Sequence, residues 1–236
     1  MSGHSHYATT HRQKEIKDAA RGKVFSKLAR AITIAAKTGG SPNPDSNFKL
    51  RMVIEKAKAA NMPKENIERA ISKAQSSADL EEVRYEGFGP SGILVIVDAA
   101  TDNRNRTNSE IRNLFDKNGG KMGSPGSVSF NFESFGFLIL EKRENSDEDM
   151  LALIDLGAKD VNEMPDGLYV YVSPSDLASF QERVRKEGFK ALSSELVEKP
   201  KNFQKIDEGD REKVKRFIEE LENHEDVQKV FTNATF

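Results

Sequence analysis

Two glycine-rich stretches and four histidines are the residues of this chain whose types and spacing invite a chemical reading. Gly87-Phe88-Gly89-Pro90-Ser91-Gly92 fits the pattern G-x-G-x-x-G. In a dinucleotide site such a loop follows a strand and opens a helix, so that free amides meet a pyrophosphate. Here the glycines precede the apolar run Ile93–Val97, and Pro90 removes a donor. A glycine-rich turn entering a strand accounts for them better. Gly119-Gly120-Lys121-Met122-Gly123-Ser124-Pro125-Gly126-Ser127 has the composition of a phosphate cradle. The nucleotide-binding version needs Ser or Thr after Gly-Lys, and Met122 stands there. The stretch is either a structural turn or a functional loop. His4, His6 and His11 lack carboxylate or cysteine partners at ligand spacing, so no metal site is expected from them. They read as hydrogen-bonding members of a polar arm that gains charge below about pH 6.5. His224 stands alone and reads as a surface residue. No Ser-His-Asp set, carboxylate pair or H-E-x-x-H can be assembled. Neither an enzyme nor a cofactor is expected.

Thr101-Asp102-Asn103-Arg104-Asn105-Arg106-Thr107 is a dense polar run opening a helical pattern. Asp102 or Asn103 can cap that helix by accepting from its first free amides. Capping needs one such residue and not seven. The favoured reading is a phosphate contact, with Arg104 and Arg106 beside a positive helix N-terminus.

Charge gives the strongest lead. Overall it is only −2, yet residues 1–75 hold 15 Lys/Arg against 6 Asp/Glu, and the remainder 21 against 32. A basic head facing a polyanion, joined to an acidic body, is the arrangement this suggests. On a helical wheel Val24, Phe25, Leu28, Ile32 and Ala35 make one apolar stripe, and Lys23, Lys27, Arg30 and Lys37 cluster on the nearly opposite side. With His4, His6, His11, Arg12, Lys14, Lys17 and Arg21 of the preceding arm, these cations are the candidate nucleic-acid contacts. Lysine and arginine there would displace counterions from phosphates with little choice of sequence. Aromatic residues are sparse in the first forty positions, which disfavours a single-strand stacking platform there.

These groups need elements to position them. Lys14, Lys17 and Arg21 fall out of phase with the following helix, so either a bend near Gly22 or an arm that does not dock with the same face is expected. Gly39 to Pro44 breaks the chain, Asp45 or Ser46 caps a second helix, and Asn61-Met62-Pro63 ends it. Ile67, Ala70, Ile71 and Ala74 mark a third helix, completing a small bundle. From about Val83 the period changes to strands: Ile93–Val97, then a helix over 103–118, then Val128–Phe132. From Phe135 the order is strand, helix, strand, helix, strand up to Val197. A helix over 210–222 and a strand over 227–231 return to the earlier sheet. The expected fold is α+β in three domains: a helical bundle over 1–78 and two α/β domains of ferredoxin-like type, one discontinuous over 79–133 and 201–236, the other acidic, over 134–200, and inserted in it. Cysteine is absent, which excludes disulfides and thiolate metal sites. No apolar run approaches the roughly 18 residues of a membrane span, and no secretory core or transit peptide is read at the N-terminus, so a cytoplasmic location without membrane partners is expected.

Several motifs together resemble one family. They are Gly3-His4-Ser5, His11-Arg12, Arg21-Gly22-Lys23, Ala57 to Pro63, Asn66 to Ile71, Tyr85-Glu86-Gly87, Thr101 to Thr107, Gly126 to Ser129, Asp226-Val227-Gln228 and Asn233. In these the chain is similar to the YebC/PmpR family along essentially its whole length. The resemblance implies the three-domain fold with the third domain inserted in the second. It also implies a role in gene expression: DNA-binding transcriptional regulation, or, as for a related mitochondrial translational activator, translation through ribosomal or transfer RNA on the ribosome. His6 and Tyr7 stand where relatives usually have Lys and Trp, and Ala31 where they usually have Glu.

Overall fold

The computed structural model describes residues 18–76 and 80–236. In chain order it forms α1 (Asp18–Thr38), α2 (Phe48–Ala59), α3 (Lys64–Ser76), β1 (Glu81–Phe88), β2 (Leu94–Thr101) and α4 (Arg104–Lys117). There follow β3 (Lys121–Met122), β4 (Phe132–Leu140), α5 (Ser146–Asp155), β5 (Asp160–Met164), β6 (Gly167–Val172) and α6 (Leu177–Lys186). The chain closes with β7 (Ala191–Pro200), β8 (Gln204–Lys205), α7 (Arg211–Asn223), β9 (Val227–Thr232) and β10 (Ala234–Thr235). It divides into two compact units, one of Met1–Phe132 with Pro200–Phe236, the other of Glu133–Lys199.

In the first unit the apolar stripe of α1 buries Leu28, Ile32 and Ala35 against Leu50, Ile54 and Ala57 of α2 and Ile67 and Ala70 of α3. The expected bend is absent: α1 runs unbroken through Gly22. An exposed glycine costs a helix only about 1 kcal/mol, too little to interrupt one of this length. The cap of α2 is Asn47 rather than Asp45 or Ser46. Its buried side chain accepts from the Leu50 amide at 2.9 Å and donates to the carbonyls of Ala35 and Ser41 at 2.8 and 2.7 Å. One amide thereby closes both the helix start and the preceding loop, for which an aspartate lacks the donors.

The sheet of this unit has the order β3-β1-β2-β9. Helices α4 and α7 cover one face, packing Ile111, Phe115, Val214 and Phe217 on Tyr85, Val95, Val97 and Val230. Helix α1 also contacts β2 and β9. Ile34, Ile96 and Phe231 are buried outside both cores, Ile96 lying beside Phe231 in the register of β2 and β9. Two of the G-x-G-x-x-G glycines serve packing, and the third, Gly92, takes a φ of 76°. A Cβ on Gly87 would lie 2.6 Å from the Phe115 ring and 2.7 Å from the Lys121 carbonyl, and one on Gly89 2.7 Å from Phe217.

The second unit has the strand order β5-β6-β4-β7, built as βαββαβ, which is the ferredoxin-like arrangement. Leu138, Leu140, Leu168, Val170, Leu177, Phe180 and Val184 form its interior. Strand β5 escaped the sequence reading because Asp160-Val161-Asn162-Glu163-Met164 carries no apolar run. The strand expected at Val128–Phe132 is instead a single 3-10 turn over Ser129–Asn131, with β4 starting at Phe132. The fold class is α+β.

Candidate nucleic-acid interface

Lys23, Lys27, Arg30 and Lys37 of α1 do not form one free face. Lys23 and Lys37 are exposed, the latter with its ammonium 3.1 Å from the Leu80 carbonyl. Lys27 and Arg30 turn onto the sheet domain. Lys27 Nζ donates to the carbonyls of Glu222, in the last turn of α7, and Val227, the latter at 2.7 Å. Burial lowers its pKa to about 8; Glu222 opposes the shift, and Lys23 and Arg30 add to it. Arg30 ion-pairs with Asp226 and reaches the Ala100 carbonyl at 3.4 Å. The wheel placed these four together correctly but is blind to what packs on them. Carbonyls freed at a helix end and a buried carboxylate are strong partners for a cation.

Asp226 is the hub of that contact. It is buried, and beside Arg30 it accepts from Arg106 at 2.9 Å and from the Thr107 hydroxyl at 2.6 Å. The polar run opening α4 is therefore largely engaged within the molecule. Asn103 caps α4, accepting from the Arg106 amide at 3.0 Å. Thr101 Oγ1 accepts from the Asn103 amide at 2.9 Å, and Arg106 also pairs with Asp102 at 3.0 Å. Capping and hub account for Asp102, Asn103, Arg106 and Thr107, leaving Arg104 and Asn105 exposed at the helix start. Asp226 carried a sequence signal in its motif and in its place beside the strand Val227–Phe231. The sequence could not tell that its partners lie on α1 and α4.

His224 is not a lone surface residue. Its Nδ1 accepts from the Asp226 amide at 3.1 Å and its Nε2 lies 3.0 Å from Glu110. Glu110, His224 and Asp226 thus bring three potential ligand atoms within 4.8 Å of one another. Their chemistry does not suit a metal. With Nδ1 accepting, the proton sits on Nε2 facing Glu110, and Asp226 already answers two guanidiniums.

The second glycine-rich stretch is a cradle, and an internal anion fills it. The buried carboxylate of Glu86, on β1, accepts from the amides of Gly126, Val128 and Ser129, each at 2.8 Å. Burial alone would raise the Glu86 pKa; the amides of Val128, Gly126 and Ser129 outweigh it and hold the group below its ordinary value. This capture draws the chain into a turn where alternation predicts a strand.

His4, His6, His11, Arg12, Lys14 and Lys17 lie outside the described residues, and Arg21 is described only as backbone of α1. Among the described residues, Lys58 and Arg69 are further exposed cations of the helical segment, on α2 and α3. The wheel of α1 could not nominate them, although the charge count included them.

Family comparisons cover nearly the whole chain. Residues 5–77 match the model for the TACO1/YebC protein N-terminal domain, and residues 80–234 that for the TACO1/YebC second and third domain. A probable transcriptional regulatory protein of Chloroflexus aurantiacus is 46% identical over 99% of this chain and 95% of its own length. One of Thermoanaerobacter pseudethanolicus is 45% identical over 99% and 97%. The crystal structure of a conserved hypothetical protein from Aquifex aeolicus superposes with a TM-score of 0.85 at 43% identity, covering 94% of each chain.

Proposed function

This chain belongs to the TACO1/YebC family, and on that premise we propose that it is a non-enzymatic cytoplasmic regulator of transcription that binds DNA through its basic helical segment. The observation that carries the proposal is the 15-to-6 excess of cations in residues 1–75, and relatives named as probable transcriptional regulatory proteins support it. The contacts are the arm residues His4, His6, His11, Arg12, Lys14, Lys17 and Arg21, with Lys23, Lys37 and Arg104. Lys27, Arg30 and Arg106 act one step back, holding the helical segment at a fixed angle to the sheet. Most of this affinity is electrostatic, so log K should fall linearly with log salt at a slope of about 0.9 per phosphate contacted.

A second reading, a translation factor on ribosomal or transfer RNA, draws support from the exposed Phe130, because unpaired bases are recognised by stacking. Duplex gel shifts run beside ribosome co-sedimentation at moderate salt separate the two. A preferred operator supports transcription; stable ribosome association without one supports translation. Lys23→Gln with Lys37→Gln should weaken either complex and flatten its salt slope by about two contacts' worth. Unchanged binding removes this face from the interface.

A further inference from the structure

Among the described residues Phe130 is the most exposed of the large hydrophobic side chains, at 69%. Its backbone is held at its carbonyl and through the residues on either side. The preceding amides of Val128 and Ser129 are fixed by Glu86. Its own carbonyl accepts from Lys201 Nζ at 2.9 Å. The next residue, Asn131, accepts from the Lys201 amide at 2.8 Å, and its side chain meets Asn202 at 3.1 Å. A flexible loop tip would fold such a ring down; this one is kept in solvent on a pinned turn. The ammonium beside it uses one of its three donors on the Phe130 carbonyl, and Lys201 is exposed.

We infer that Phe130 is a stacking platform for an unpaired nucleobase, with Lys201 taking the adjoining phosphate. This deepens the nucleic-acid reading and rests on it. An ammonium held within hydrogen-bonding distance of the same residue complements a polyanion. The turn is preorganised, so little ordering entropy opposes the stacked state. The site selects single strands, because a base within a duplex offers no free face.

The chain contains no tryptophan, so Phe130→Trp places a lone tryptophan, excited selectively beyond the tyrosine band, on the turn. Titrating the full-length variant with single-stranded oligoadenylate should quench that fluorescence, while a duplex of matched length should leave it unchanged. Phe130→Ala should lower single-strand affinity by about tenfold, with the salt slope intact because no cation is lost. Duplex affinity and the thermal midpoint should stay at wild-type values. Wild-type single-strand binding that neither quenches the tryptophan nor weakens in Phe130→Ala overturns this site and leaves the basic segment standing. A wild-type chain that retains neither single strand nor duplex overturns both readings.

Discussion

Replacing Asp226 by Asn tests whether the cations of α1 hold the fold or the ligand. The carboxylate is 2% exposed, and it answers Arg30 at 23% and Arg106 at 42%. Removing one member of a fully buried ion pair costs about 3–5 kcal/mol, mainly through the stranded partner. Here both guanidiniums reach water and asparagine keeps one oxygen for Thr107, so the cost falls to about 2–3 kcal/mol. For a unit of this size that lowers the thermal midpoint by about 5–10 °C. Because the acid is buried, the loss should persist at high salt, where an exposed pair would be screened. Thermal unfolding of Asp226→Asn and Arg30→Gln at low and high salt gives the magnitude. Salt-dependent DNA binding of Arg30→Gln and Lys23→Gln then assigns the roles. Arg30→Gln should lose stability and keep the wild-type salt slope, while Lys23→Gln should keep stability and lose slope. The reasoning is refuted if Asp226→Asn unfolds within about 0.5 kcal/mol of wild type, or if Arg30→Gln leaves stability untouched and flattens the slope.

Glu86→Gln should destabilise the chain by about 2 kcal/mol and expose the amides of Gly126, Val128 and Ser129 to hydrogen exchange. Its pKa is depressed in the fold, so its contribution is complete above the ordinary value of 4.5 and lost as pH falls through the folded value; an acid-unfolding midpoint unmoved in Glu86→Gln would contradict this. For Lys27, depressed from 10.5 to about 8, the unfolded chain binds more protons between those values. Stability should therefore rise by up to about 3 kcal/mol as pH climbs through that window, and Lys27→Gln should lack the rise in denaturant titrations at stepped pH. Gly87→Ala forces a Cβ against the Lys121 carbonyl and the Phe115 ring, and should cost about 2 kcal/mol or more by chemical denaturation.

The three helices were legible because apolar spacing alone decides which side of α1, α2 and α3 meets a core. The inserted ferredoxin-like unit was legible in outline, through the runs at Phe137–Leu140 and Leu168–Val172, but not in β5, a polar edge strand whose pairing with β6 is made by backbone and not by apolar side chains. The site was legible less evenly. Lys23 and Lys37 are exposed as expected, while Lys27, Arg30 and Arg106 are held by a residue some 120 to 200 positions away in sequence.

By itself the sequence determined where positive charge concentrates and where the helices and the apolar strands run, because each of these depends on composition or on spacing within a few turns. Tertiary structure decided which cations stay available. Asp226 and Glu86 each meet donors from distant segments, and a buried carboxylate claims whatever donors the fold brings to it. No local pattern encodes that claim, since its free energy comes from removing the acid from water, and only the assembled chain does so.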